Sequence, residues 1–218
     1  MADLRPTVET LLDHLLTVFP ALDEIDQTLS LALYRRLAKG SPVALSALAA
    51  EVEVPVTQVE RRVESWPGVY YDNERRVIGY WGLSLKPMSH QLRVNGRKLF
   101  AWCAWDTLFL PALLGQTVEV LSVCRGSGRT VRLGVSHRAV EHAEPEKILV
   151  SFLLLEATAV RSDVIGNFCR YVHFFASSDA AQPWLAQHSE AFLLSLDEAF
   201  ELGQRRSRAQ YPAVFAKR

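Results

Sequence analysis

The chain has 218 residues, 49% hydrophobic and 22% charged, with 24 lysines and arginines against 24 aspartates and glutamates. That length holds one large domain or two small ones with a real core, and the composition is ordinary for a soluble globular protein. A formal charge of zero argues against a protein whose main task is to hold nucleic acid, while leaving room for a local basic face.

The first stretch, MADLRPTVET, lacks the basic flank and apolar core of a signal peptide, and no apolar run is long enough to span a bilayer. Three cysteines without an export signal imply free thiols in a reducing cytoplasm. Val8, Leu11, Leu12, Leu15, Leu16 and Phe19 have the spacing of an amphipathic helix, stopped by Pro20. Leu29, Leu31, Leu33, Tyr34 and Leu37 give a second helix, stopped by Gly40. Ser41 and Pro42 predict the cap and first turn of a third, carrying Leu45, Leu48 and Ala49. Pro55 opens a fourth, with Val56, Val59 and Val63 inward. The run VYYDNERRVIGYWGLSL predicts a hairpin about Asp72-Asn73-Glu74.

Helices followed by a hairpin are the order of a winged-helix module. One reading is DNA binding through Arg61, Arg62, Arg75 and Arg76. The other is a packing module, because Glu51, Glu53, Glu60 and Glu64 lie among those arginines and oppose phosphate.

Lys86-Pro87 reads as a linker, which divides the chain into residues 1–87 and 88–218. HQLRVNGRKLF predicts two short strands about an Asn95-Gly96 turn. The segment Lys98–Gly115, KLFAWCAWDTLFLPALLG, is almost wholly apolar and reads as a helix that Pro111 ends or kinks. On a helix Cys103 and Asp106 share a face, with Cβ atoms about 5–6 Å apart. A carboxylate among Trp102, Trp105, Leu108 and Phe109 tends to hold its proton and can act as an acid. Asp106 can equally be an N-cap for a helix starting at Thr107, with Cys103 a small core residue.

TVEVLSVCRGSGRTVRLGVS predicts a hairpin whose turn carries Cys124. It lacks the lysine and following helix of a phosphate-binding loop. KILVSFLLL (residues 147–155) is a buried-strand pattern. In FCRYVHFFAS, alternation puts Cys169, Tyr171, His173 and Phe175 on one strand face. Pro183-Trp184 opens a helix, LLSLDEAFELGQRRSR is the last one, and YPAVFAKR is a basic, exposed tail.

A Cys169–His173 nucleophile pair fails on a regular strand, where their Cα atoms lie about 13 Å apart. The cysteines lack zinc-ligand spacing. Thiols from distant segments, Cys103 and Cys169, converging beside Asp106 in an apolar pocket would suit an apolar group attached to a soft metal.

FAWCAWDTLFLPALLG, then NFCRYVHFFAS, then DEAFELGQ, closely resemble the bacterial organomercurial (alkylmercury) lyases, and YRRLAKGSPVALSALA resembles their N-terminal helix-turn-helix stretch. The resemblance covers most of residues 83–205. It implies an α+β fold, with a winged-helix-like N-terminal domain lacking a DNA role and a mixed α/β catalytic domain with small sheets. It implies Cys103, Asp106 and Cys169 as the catalytic, mercury-binding residues, and leaves Cys124 structural. Arg170 stands where some relatives carry a further cysteine. The implied reaction is protonolysis of the carbon–mercury bond of alkyl- and arylmercury compounds, giving a hydrocarbon and mercuric ion. No organic cofactor or resident metal is implied. External thiols would carry mercury in and out, and mercuric reductase would receive the ion. Neither nucleic acid nor membrane is an implied partner. The alternative reading is a winged-helix regulator that senses metal through its cysteines.

Overall fold

The computed structural model describes residues 5–19, 21–154 and 156–215. Four helices come first: α1 (Val8–Val18), α2 (Glu24–Leu37), α3 (Leu45–Val52) and α4 (Val56–Ser65). The Thr7 hydroxyl and Asp23 carboxylate cap the first two by accepting the N–H groups of Thr10 and Asp26. Leu11, Leu12, Leu15 and Val18 face inward from α1. Leu16 and Val56, expected inside, are exposed, because each sits on the solvent side of its helix. Pro20, the expected stop of α1, lies outside the described residues. Pro42 does not enter α3: Val43 exchanges backbone hydrogen bonds with Val77 (2.9 and 2.8 Å), which holds the chain extended until Leu45.

The remaining elements are β1 (Val69–Tyr71), β2 (Val77–Tyr80), β3 (Leu83–Ser84), β4 (His90–Val94), β5 (Arg97–Ala101), α5 (Asp106–Leu114), β6 (Val118–Val123), β7 (Thr130–Val135), β8 (Val140–Glu144) and β9 (Leu149–Phe152). They are followed by α6 (Ala157–Ser162), α7 (Val164–Asn167), β10 (Phe174–Phe175), α8 (Ser178–Leu185), β11 (Phe192–Ser195), α9 (Leu196–Gln210) and α10 (Pro212–Phe215). An eight-stranded antiparallel sheet runs β1-β2-β3-β5-β4-β6-β7-β8, and a three-stranded sheet runs β10-β9-β11. The first hairpin therefore does not stand free as a wing: β3 pairs with β5, and Lys86-Pro87 lies between strands of one sheet. Asn95 and Gly96 both have positive φ (47° and 77°), as a two-residue hairpin requires.

α5, whose nine residues are all buried, packs chiefly against α9, with α2 and β7 also against it. A helix apolar on every side belongs in a core. Pro111 does not end α5; the helix runs on to Leu114 and closes at Gly115, left-handed at φ 67°. Four later expectations also change. Residues Cys169–Tyr171 form a 3-10 turn, so the strand is only Phe174–Phe175 and the shared face of Cys169, Tyr171, His173 and Phe175 is lost. Pro183 lies inside α8, which Ser177 caps. The presumed last helix is two elements: Phe192–Ser195 pairs with β9, and Ser195 with Glu198 then forms the capping box of α9. In the tail, Tyr211 is buried and its hydroxyl meets the Ser30 hydroxyl at 2.8 Å, while residues 216–218 lie outside the described ones. Among the described residues no helix is long and apolar enough to cross a membrane.

Candidate active site

Cys103 does not lie on a helix with Asp106. It stands in the turn between β5 and α5, and Asp106 is the first residue of α5. The carboxylate reaches back to accept the Cys103 N–H at 2.7 Å (N to Oδ2). It therefore does not cap the helix in the usual forward sense, and the Thr107 hydroxyl donates to the Ala104 carbonyl at 2.7 Å to fix the same turn. Trp105 anchors the start of α5 by donating from Nε1 to the Ala199 carbonyl of α9 at 2.9 Å. Its ring meets Phe109, Phe152 and Phe168 edge-on.

Cys169 arrives from the other direction. Asp163 caps α7 by accepting the Gly166 N–H, and the 3-10 turn follows. The end of that turn is tied to the Cys103 segment, because the Ala104 N–H donates to the Val172 carbonyl at 3.2 Å. Ser151 of β9 fixes it again: its hydroxyl donates to the Tyr171 carbonyl (2.7 Å) and accepts the His173 N–H (2.9 Å).

The result is a buried group of three possible ligand atoms. The thiols of Cys103 and Cys169 and an oxygen of Asp106 all lie within 4.8 Å of one another. Burial pushes both thiols up, Cys103 well above the usual range, and a Cys103–Cys169 hydrogen bond adds to that rise while easing the one at Cys169. Burial also raises Asp106, to about 6, against the pull of the Cys103 thiol, the Cys103 N–H and the Arg206 charge. At neutral pH the two sulfurs thus hold their protons and the carboxylate is mostly ionised. Burial thus moves Asp106 in the direction expected from sequence, while those hydrogen bonds and the Arg206 charge offset part of the rise.

The walls are apolar. Leu15, Val18 and Phe19 of the α1 segment face Val160, Val164 and Phe168, with Trp81, Trp102 and Trp105 closing the remainder. The cavity between these walls has about the room of one water molecule. Arg161 ties the two sides by donating from Nε to the Val18 carbonyl (2.9 Å) and from Nη2 to the Thr17 carbonyl (2.5 Å).

The other candidates lie apart from this group. Cys124 is in the β6–β7 turn, where Sγ accepts the N–H groups of Ala176 (3.2 Å) and Ser127 (3.4 Å). Burial pushes its thiol up, but those donors outweigh the burial and bring it below the ordinary value. His173 stands edge-on to Trp184, and burial, then the charge of Arg125, lowers it to about 4. Of the arginines considered for DNA, Arg62 bonds Asp23 and Asp26 (both 2.8 Å), Arg75 pairs with Glu64, and Arg76 pairs with Asp72 and Glu74.

Two neighbours were not found from sequence. Arg206 is buried, with its guanidinium 3.8 Å over the Phe19 ring and 4.8 Å from that of Phe109. Its Nε and Nη1 have no hydrogen-bond partner among the described residues. Gly82 lies against the Asp106 carboxylate. Arg206 carried a weak signal, being a charge within the apolar period of a helix. The place of Gly82 had none, since it depends on a contact across 24 positions of the chain.

Comparison with known proteins matches residues 83–207 to the alkylmercury lyase family and residues 11–81 to the helix-turn-helix domain of alkylmercury lyase. An alkylmercury lyase of Staphylococcus epidermidis is 45% identical over 173 residues, 79% of this chain and 78% of that protein. One from Bacillus cereus is 39% identical over 172 residues, 79% of this chain and 77% of that protein. Among solved structures, the mercury-bound form of MerB2 superposes with a TM-score of 0.72 over 93% of this chain and 98% of that one, at 21% identity, a likeness of fold.

Proposed function

The chain belongs to the alkylmercury lyase family, a family of enzymes, and from that premise we propose that it cleaves the carbon–mercury bond of alkyl- and arylmercury compounds by protonolysis. The observation that carries this reading is the buried triad: two thiols and one carboxylate, from two segments, within 4.8 Å of one another, with Asp106 and Cys169 lining an apolar cavity. Mercury is the substrate's own atom, and thiolates are the ligands that soft ions prefer.

The proton inventory closes the reaction. The substrate arrives as R–Hg bound to a carrier thiolate. One cysteine sulfur replaces the carrier, and its proton leaves on the released thiol. The second sulfur then bonds to mercury and its proton passes to Asp106. Two sulfur donors raise the electron density on the mercury-bound carbon. Asp106 delivers the proton to that carbon, the carbon–mercury bond breaks, and R–H leaves with mercuric ion held by both sulfurs. Two external thiols then carry the ion away, and mercuric reductase is the natural recipient. Asp106 suits both transfers because it rests ionised beside protonated thiols and regains that state after each turnover. The reaction uses no organic cofactor or resident metal, and the cytoplasm supplies the thiols it needs. The helix-turn-helix region takes no part in binding nucleic acid; the acidic partners already held by Arg62, Arg75 and Arg76 support this.

The test is turnover. Phenylmercury or methylmercury with excess thiol should release benzene or methane over many cycles. A metal sensor would instead bind one equivalent and release no hydrocarbon, and that outcome would return the chain to the regulator reading. In the same assay Cys124→Ala should release hydrocarbon at the parental rate. It should lose about 0.5–1.5 kcal/mol of stability, because the part-buried Ala176 N–H loses its acceptor. A well-folded Cys124→Ala without turnover would move Cys124 into the site.

A further inference from the structure

Gly82 lies in the turn between β2 and β3 with φ +96°. A β-carbon built on it would stand 2.6 Å from Cγ and Oδ1 of Asp106 and 2.9 Å from its Cβ. Atoms do not pack that closely, so with a side chain at position 82 the carboxylate and the turn can no longer keep their present contact. The Gly82 carbonyl also accepts the Trp102 N–H at 3.0 Å, which holds the backbone immediately before Cys103. One residue thus meets both ends of the Cys103–Asp106 turn.

The turn carrying Gly82 is held from the N-terminal helices. The Tyr34 hydroxyl of α2 donates to the Trp81 carbonyl at 2.8 Å, and both groups are buried. The Trp81 N–H donates to the Gly68 carbonyl at 3.1 Å, and its ring centroid lies 4.5 Å from that of Phe19. The Cys103 N–H at 2.7 Å fixes the carboxylate from the opposite side.

We propose that Gly82 is a positioning residue for carbon–mercury cleavage: its bare Cα sets the Asp106 carboxylate beside the two thiols, and the helix-turn-helix region acts as the buttress of that contact. This rests on Asp106 as the proton carrier of the proposed reaction. It gives the N-terminal region a task in catalysis in place of the DNA contact its topology suggests. Placement matters here because a reacting group moved by about 1 Å can lose about 10²-fold in rate.

Backbone strain is a separate effect and has its own control. Gly96 has φ +77° in the β4–β5 turn, and a β-carbon there meets nothing within 4 Å. Gly96→Ala therefore carries the cost of the left-handed conformation without the collision. Single-turnover hydrocarbon release and mercuric ion binding, read from the sulfur–mercury absorbance, are measured for the parent, Gly82→Ala, Gly96→Ala and Tyr34→Phe. Gly82→Ala should release hydrocarbon about 10²-fold more slowly while still holding mercuric ion through two sulfurs. Gly96→Ala should match the parent. Tyr34→Phe, which loosens the turn without filling it, should fall between them with mercuric ion binding intact.

Release from Gly82→Ala within about threefold of the parent, well below the placement effect, would overturn the proposal. So would a folded Gly82→Ala that loses binding and cleavage together, since Gly82 would then shape the whole site. If Gly82→Ala does not fold, Tyr34→Phe decides: slowed release with parental binding sustains the proposal, and parental release overturns it. A parent that yields no hydrocarbon would be a failure of the proposed reaction instead. The Cys103 amide proton shift in Gly82→Ala then reports the placement alone: moved, it sustains the contact, and unmoved, it overturns it.

Discussion

Cys103→Ala and Cys169→Ala should each bring carbon–mercury cleavage down by about 10³-fold or more, as happens when one member of a concerted catalytic group is removed. In the proposed reaction each sulfur has its own step: one captures R–Hg and the other completes the two-sulfur complex that makes the carbon basic. With either missing, mercury keeps one protein donor, and the proton bound for the carbon has no thiol to come from. The structural cost is small by comparison. Losing one buried sulfur removes about as much packing as losing a methyl group, which costs about 0.5–1.5 kcal/mol. The variants should therefore fold and still bind alkylmercury through the remaining thiol, without releasing hydrocarbon. The double variant should be no slower than either single one, because the thiols act as a unit. Single-turnover hydrocarbon release measures all three. Full activity in either single variant would remove that cysteine from the reaction.

Asp106→Asn should separate capture from cleavage. The amide is the size of the carboxylate, and its oxygen can still accept the Cys103 N–H now bound at 2.7 Å. Both thiols remain, so mercuric ion should bind as in the parent. What disappears is the group that, in the proposed reaction, takes a proton from sulfur and returns it to carbon. General acid–base contributions are about 10²–10⁴-fold, or roughly 3–5 kcal/mol of barrier. The loss should fall on the chemical step in single-turnover release. A rate within about threefold of the parent, far below that range, would make the Cys103 hydrogen bond the whole role of Asp106.

The same variant also tests the electrostatics. Asp106 in the fold titrates at about 6, above its ordinary 3.8. The native state therefore binds more protons than the unfolded chain between those values. Stability contributed by that proton is present below about pH 4 and is lost as the pH rises through about 6. Denaturation midpoints of parent and Asp106→Asn should diverge over that window, with the parent losing ground toward neutrality.

Much of this was legible in the chain because the signals were local. Asn95-Gly96 and the Gly126–Gly128 turn marked their hairpins, and period-3.6 leucines marked the first two helices. The three residues of the candidate site came from motif resemblance, and the fold brings those three together. Geometry was harder to read. Cys103 and Asp106 looked like helical neighbours because the segment is uniformly apolar, which gives a helix no visible start. The helix begins only at Asp106, where the carboxylate turns back to the Cys103 N–H. FCRYVHFFAS alternates like a strand, yet its first half coils because Ser151 binds the Tyr171 carbonyl and the His173 N–H. Ser195 and Glu198 did display a capping box, so the start of α9 could have been found. The contacts of Arg206 and Gly82 are properties of tertiary packing alone.

The clasp that Arg161 makes on the end of α1 bears on time as well as on shape. In this conformation the cavity has room for about one water and none for an organic group, with the Val18 and Thr17 carbonyls fastened to α6. Loading must wait for the two helices to breathe apart, a motion of the microsecond-to-millisecond class. In the proposed reaction, reclosing would put the captured metal out of reach of the thiols in solution and commit the alkyl group before a competitor could retrieve it. The same enclosure delays the exit of the ion. In the proposed reaction, slower opening for bulkier groups would slow turnover as well as loading.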